Sequence, residues 1–190
     1  MLEILNIWDI QLFLFLNGMH NSFWDVVMFW LSNKFIWIPL YLFFIYLLAK
    51  FYKKEAIWIS LVLIILIAIT DQLSVHLFKN IFERLRPCHE PSLEGMVHIV
   101  YGKCGGQFGF VSSHASNHFA MAIFLSGFLG KKIRYFTPLI FLWAFIISYS
   151  RIYLGVHYPG DVAVGGLFGA SVGVLINKVY FTIRKELISS

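Results

Sequence analysis

Three stretches of the chain, IWIPLYLFFIYLLA, AIWISLVLIILIAIT and FTPLIFLWAFIIS, carry no charged side chain over nearly the length needed to cross a hydrocarbon layer. A chain that exposes such runs to water does not stay soluble, so the bilayer is the solvent that decides its fold. Composition agrees: 59% of residues are hydrophobic, 18% aromatic and only 13% charged, with a mean hydropathy of +0.75. Inside a bilayer every backbone polar group needs an internal partner, which leaves helices or a closed barrel. The runs are continuous rather than alternating, so the predicted fold is all-α, an integral membrane helical bundle of about five to six transmembrane helices.

Five spans are predicted, at residues 35–51, 56–78, 113–129, 135–150 and 161–181. The first 33 residues mix apolar with polar positions, and they are expected to form amphipathic N-terminal helices at the interface, one of which is a candidate sixth span. Asp9 interrupts the first apolar stretch and no basic region precedes it, so no cleavable signal peptide is expected. No repeat or linker divides the chain, and a single domain over residues 1–190 is the economical reading.

Orientation follows from the basic residues. Lys50, Lys53 and Lys54, then Lys131, Lys132 and Arg134, then Lys178, Arg184 and Lys185 fall on one side of a five-span arrangement, the cytoplasmic one. The opposite face holds the N-terminal helices, the long segment between spans two and three, and the short one between spans four and five. Cys88 and Cys104 both lie in that long outward segment. In an oxidising compartment they can close a disulfide; two free thiols are the alternative, and the spacing does not suit a zinc site.

Charge near a membrane is costly, and here it concentrates at the outward helix ends in three segments: KNIFERLRP, VSSHASNH and SRIYLGVHYPGD. Each has an ordinary structural reading alone, as snorkelling cations, a serine helix cap or an isolated histidine. Together they offer what a phosphate needs. Lys79 supplies a point charge, Arg86 and Arg151 planar forks for phosphate oxygens, and Ser112 and Ser113 the amide-rich start of a helix. His157 and Asp161 lie four apart, so that Asp161 can orient the imidazole as a nucleophile, while His114 can protonate the leaving oxygen. No metal and no cofactor is expected.

These segments resemble the type 2 phosphatidic acid phosphatase (PAP2) superfamily. Lys79 to Pro87 matches its first motif and Ser150, Arg151, His157 and Asp161 its third, whereas the second keeps Ser112 and His114 but has Val111 for proline and Ser113 for glycine. The resemblance runs from Lys79 to Asp161. It implies a helical bundle with its site at the membrane surface, a phosphohistidine on His157, His114 as acid then base, and phosphate held by Lys79, Arg86, Ser112, Ser113 and Arg151. A lipid phosphate or diphosphate already in the bilayer is the expected substrate, with no nucleic-acid partner. The small size resembles bacterial undecaprenyl diphosphate phosphatases, which makes that carrier lipid the first choice and implies a bacterial inner membrane with the site on the periplasmic or extracellular face. Phosphatidylglycerol phosphate, phosphatidic acid, lipid A phosphates, phosphotransfer and a non-enzymatic anion transporter are the alternatives.

Two groups of residues receive local readings. Gly165, Gly169 and Gly173 recur every four positions, which suits close helix packing. Asp71 is expected to be a buried hydrogen-bonded partner within span two, with a proton route as the alternative, Asn117 and His118 to share the His114 face, and Glu83 and Arg84 to form a local ion pair.

Overall fold

The computed structural model describes residues 2–189. Among these there is no strand, only an isolated antiparallel bridge between Leu85 and Phe108. The helices are α1 (Leu2–Gly18), α2 (Ser22–Leu31), α3 (Ile38–Tyr52), α4 (Glu55–Ser74), the short α5 (Asn80–Phe82), α6 (Ser113–Leu129), α7 (Phe136–Tyr153) and α8 (Pro159–Ser189). Helical segments 34–52, 55–82, 136–153 and 159–186 are long and apolar enough to cross a membrane. This is a multi-pass membrane protein.

The 17-residue α6 is the axis of the bundle, with Ala115, Ala120, Ala122, Phe124, Leu125 and Leu129 all fully buried. It packs against α4, α7 and α8, so its flanks meet protein rather than lipid. The contact with α8 is set by the glycine row. A Cβ on Gly165 would sit 2.7 Å from the Ser112 carbonyl oxygen, one on Gly173 would sit 2.8 Å from that of Ala120, and one on Gly169 would overlap the Ser116 carbonyl. Small residues therefore let the two backbones touch, as the four-residue spacing predicts.

The second span is longer than the 56–78 predicted from its sequence. The helix continues past Ser74 through one turn of π-helix, Val75–Lys79, and ends after Phe82 at Glu83, whose φ of 45° is left-handed. A π-turn inserts a residue and rotates the rest of the helix, a device common beside functional sites. Here it swings Lys79 toward α6, where its Nζ donates to Ser113 Oγ at 2.8 Å.

The N-terminal helices lie across the end of the bundle that carries the α7–α8 turn. Asp9 accepts a hydrogen bond from the Gly160 amide at 2.7 Å, and Asn17 donates to the Tyr153 and His98 carbonyls at 2.8 and 3.0 Å. Contacts eight residues apart on α1 thus both meet the α7–α8 turn region, which excludes a course parallel to the spans. Phe13 fills the underside against Tyr158, while Trp8, Phe15 and Leu12 remain exposed. Such a helix, apolar outside and anchored inside, suits an interface. At the opposite end Arg184 pairs with Glu55 at 2.7 Å, beside the basic loops.

The glycine row gives a direct test. Gly169→Ala should destabilise the bundle strongly, because the obstacle is backbone, whereas Gly106→Ala, which meets nothing within 4 Å, should leave thermal unfolding in detergent unchanged. Equal unfolding temperatures for the two variants would contradict the packing described.

Candidate active site

Four separate segments deliver the site, and local sequence explains how each is held. Arg86 follows the turn after α5, where its amide donates to the Gln107 carbonyl at 3.0 Å and the Gly109 amide donates to Arg84 O at 2.8 Å. These bonds and the Leu85–Phe108 bridge fold residues 84–109 into a closed loop, tied by a Cys88–Cys104 disulfide with Cα atoms 6.0 Å apart. Gly105 and Gly109 lie against the Arg86 side chain; a Cβ on Gly109 would stand 3.1 Å from Arg86 Cγ and 3.2 Å from Asp161 Oδ2. The loop is thus a mould for one guanidinium.

The second segment starts α6. Ser112 caps this helix, its Oγ accepting from the Ala115 amide at 3.5 Å, and its own amide donates to the Asp161 carbonyl at 3.0 Å. The side chain is fully buried and does not line the cavity that its neighbours form. Expected to touch phosphate, Ser112 instead has its Oγ and carbonyl occupied within α6, by Ala115 and Ser116, and its amide joining α6 to α8. Ser113 does face the cavity, and its Oγ meets both Lys79 Nζ and, at 2.6 Å, Ser74 Oγ. His114 is the next residue, with its ring against the Ser32 main chain.

The third and fourth segments are the end of α7 and the turn into α8. Arg151 Nη1 donates to Ser32 Oγ, which ties the α2–α3 connection to α7. His157 sits in the turn, 2% exposed, and Asp161 in the first turn of α8, fully buried. The two approach at 3.5 Å between His157 Nδ1 and Asp161 Oδ2, longer than an ordinary hydrogen bond, and the Gly109 main chain lies beside the same ring. On the far side of the ring Nε2 faces Arg86 Nη1 at 3.4 Å. A guanidinium only donates, so this contact favours an unprotonated Nε2 and a proton on Nδ1. Burial holds the His157 imidazole well below its ordinary range, and the charges of Arg86, Arg151 and Lys79 push the same way. The ring is neutral, with its free lone pair toward the cations.

Lys79, Arg86, Ser113, His114, Arg151 and His157 line one cavity of about 730 Å³. Among the described residues none of the three cations forms a salt bridge to a carboxylate; Asp71, on the same cavity wall, and the buried Asp161 act on them only from a distance. Below the polar head the cavity continues along α3 and α4, lined by Tyr41, Phe44, Ile45, Leu63, Ile64 and Ile67. From Lys79 to Ser60 it follows α4 for 19 residues, roughly 28 Å at 1.5 Å per residue. Ile45 and Ile64 are 46% and 63% exposed, so the groove opens sideways toward lipid. A second hollow, lined by Val174, Asn177, Lys178 and Phe181, lies far along α8 and holds none of these groups.

Two residues read locally from sequence have larger roles in the geometry. Arg84 does not stay with Glu83: its Nη1 donates to Asp161 Oδ1 at 2.9 Å and its Nη2 to Asp9 Oδ2 at 2.8 Å. Asp71 is hydrogen-bonded as expected, accepting from Asn117 Nδ2 at 3.3 Å, while Thr70 Oγ1 donates to Asn117 Oδ1 at 2.7 Å. His118 lies behind His114, its Nδ1 donating to the His114 carbonyl at 2.7 Å and its ring edge-on to Trp143. Sequence reasoning misses Arg84 because its partners are 75 and 77 residues away; the one unusual feature in sequence is a second arginine two residues before Arg86.

A membrane helical bundle with a cationic, histidine-bearing cavity open to lipid defines a class, the membrane phosphatases that act on lipids. Comparison with known proteins gives the family. The sequence profile described as PAP2 superfamily matches residues 56–185, and the chain belongs to that superfamily. It is 41% identical over 187 residues to the lipid A 4'-phosphatase of Bacteroides thetaiotaomicron, covering 97% of this chain and 81% of that protein. It is 37% identical over 179 residues to the lipid A 4'-phosphatase of Porphyromonas gingivalis, covering 93% and 74%. The crystal structure of LpxE from Aquifex aeolicus superposes with a TM-score of 0.64 at 25% identity, over 89% of this chain and 94% of that one. The protein is a membrane lipid phosphatase.

The mould around Arg86 can be opened chemically. Replacing Cys88 and Cys104 together by serine should cost about 3 kcal/mol of stability, the chain-entropy value for a loop of this size. Substrate affinity should weaken with it, because Arg86 is fixed by the same loop. Unaltered thermal unfolding and KM in the double variant would show that the loop holds its shape without the bond.

Proposed function

We propose that this enzyme removes a phosphate monoester from lipid A or a closely related acylated glycolipid, by way of a phosphohistidine on His157. The observation that carries the reading is the cavity itself: three cations without carboxylate partners face the free Nε2 of a neutral histidine, at the head of an apolar groove open to the bilayer. Such a site is electrostatically complementary to a phosphate dianion and to a hydrocarbon tail at once. The substrate assignment leans on the similarity to the two lipid A 4'-phosphatases. It displaces undecaprenyl diphosphate, the first choice from sequence, to a competing outcome.

In this reading Lys79, Arg86, Arg151 and the Ser113 hydroxyl hold the phosphate oxygens. His157 Nε2 attacks phosphorus, the P–O bond to the sugar breaks, and His114 protonates the departing oxygen. Water then attacks the phosphorus of phosphohistidine with His114 accepting its proton; the P–N bond breaks, inorganic phosphate leaves and His157 is restored. Neutralisation of charge comes from side chains and the α6 N-terminus, so turnover needs no divalent ion. The outward segments and the disulfide support a site on the periplasmic face of a bacterial inner membrane, within one domain spanning the chain.

The two histidines differ in what their loss should do. His157→Ala should abolish turnover and covalent labelling by radioactive substrate, whereas His114→Ala should slow turnover by ~10²–10⁴ and let labelled enzyme accumulate from an activated aryl phosphate. Label that persists in His157→Ala would assign the nucleophile elsewhere.

Substrate class is tested separately, with purified enzyme in detergent and matched concentrations of lipid A, undecaprenyl diphosphate, phosphatidylglycerol phosphate and phosphatidic acid. Lipid A should give the highest kcat/KM, with phosphate lost from one position of the disaccharide. A higher value for undecaprenyl diphosphate would restore the carrier-lipid reading.

A further inference from the structure

We propose that Arg84 and Asp9 are positioning residues for the His157–Asp161 pair, which makes the interfacial helix α1 a working part of the active site. The inference rests on the reading of His157 as nucleophile. Asp161 has no accessible surface, and a carboxylate placed there needs every lone pair answered. One oxygen, Oδ2, accepts from the Tyr158 amide at 3.0 Å and lies 3.5 Å from His157 Nδ1. The other, Oδ1, accepts from Arg84 Nη1 at 2.9 Å. Arg84 is therefore the cation that fixes which edge of the carboxylate is turned to the imidazole.

Arg84 is itself aimed by three groups. Its second terminal nitrogen donates to Asp9 Oδ2 at 2.8 Å and to Asn6 Oδ1 at 2.9 Å, both on α1, and its guanidinium lies over the Tyr158 ring at 4.1 Å. Asp9 also receives the Gly160 amide at 2.7 Å through its other oxygen. A single α1 carboxylate thus holds both the arginine that grips Asp161 and the backbone one residue before Asp161. Neither Arg84 nor Asp9 lines the cavity, so neither has reach to the phosphate. Their effect on chemistry passes through Asp161.

A planar fork bridging two carboxylates is a geometry that arginine makes and lysine reproduces only in charge. The test uses the full chain in detergent, with kcat expressed per phosphorylatable His157 so that misfolded protein drops out. Arg84→Gln should lower kcat by about 10- to 100-fold, the range found when outer partners of a ligand-bearing imidazole are removed. KM and inhibition by vanadate should change by less than about threefold, because the cationic head is untouched. Arg84→Lys should recover part of the loss, and so should added guanidinium ion in Arg84→Gln. Asp9→Asn should give a smaller fall in kcat, and combined with Arg84→Gln it should cost less than the product of the two losses, as residues acting along one path do.

An unchanged rate of His157 labelling in Arg84→Gln would overturn the inference while leaving the proposed mechanism standing. So would losses confined to KM, or a multiplicative double variant. Absence of any His157 label in the unsubstituted enzyme would instead defeat the mechanism on which the inference rests. Should Arg84→Gln fail to accumulate, Asp9→Asn carries the decision alone: a fall in kcat at constant KM supports the assignment, and an unchanged kcat overturns it.

Discussion

The backbone contact between α6 and α8 holds two segments of the candidate site at a fixed separation. Gly165, Gly169 and Gly173 bring α8 onto the carbonyls of Ser112, Ser116 and Ala120, and at the top of the same seam the Ser112 amide bonds to the Asp161 carbonyl. That bond registers the helix bearing His114 against the helix bearing Asp161. Wider packing, of the kind larger side chains impose, would part the segment bearing His114 from the one bearing His157 and Asp161. The remaining elements attach to this seam: α4 brings Lys79 through its π-turn, the closed loop brings Arg86, and α7 brings Arg151.

Around that frame the charges are divided by depth and by function. Cations on the cavity wall are left unpaired, whereas Arg84, one layer behind, is fully occupied by Asp161 and Asp9. An unpaired buried cation is costly, and the cost is accepted where an anion is due to arrive. The paired arginine adds rigidity there, not affinity. Two arginines two residues apart thus have opposite assignments, although a spacing of two along an extended segment would place them on one side. Leu85 between them bridges to Phe108, and the two guanidinium groups end on different partners, Asp161 and Asp9 for Arg84 and the cavity for Arg86.

That division also marks how much of the molecule is legible in the sequence. Four of the five predicted spans are legible because hydrocarbon tolerates little besides continuous apolar helix, whereas the predicted span 113–129 is the 17-residue, protein-wrapped α6; the glycine row is legible because helix geometry converts a four-residue repeat into one face. Lys79, Arg86, Ser113, His114, Arg151 and His157 are legible as a group because polar residues at membrane helix ends are too expensive to be incidental. Ser112 misleads since a serine at a helix start advertises its side chain, while the decisive atom here is its amide. Arg84 misleads since an adjacent glutamate supplies a sufficient local partner, and the real ones lie on α1 and α8. The course of α1 depends on Asp9 and Asn17 finding partners more than 130 residues away, which no local pattern encodes.

The groove along α3 divides the cavity in two. Tyr41, Phe44 and Ile45 of α3 line its apolar length, whereas the cations and histidines at its head come from the end of the α4 helix, the closed loop, α6, α7 and the turn before α8, with Ser32 and Lys34 of the α2–α3 connection beside them. The wall is not uniform: Phe44 is buried against Phe136 and Trp143 and so serves the core as well, whereas Ile45 is 46% exposed and borders the groove at little cost to the fold. The slot can therefore be reshaped from its lipid-facing edge, where the fold has least at stake, while the polar head stays fixed by its own buried seams.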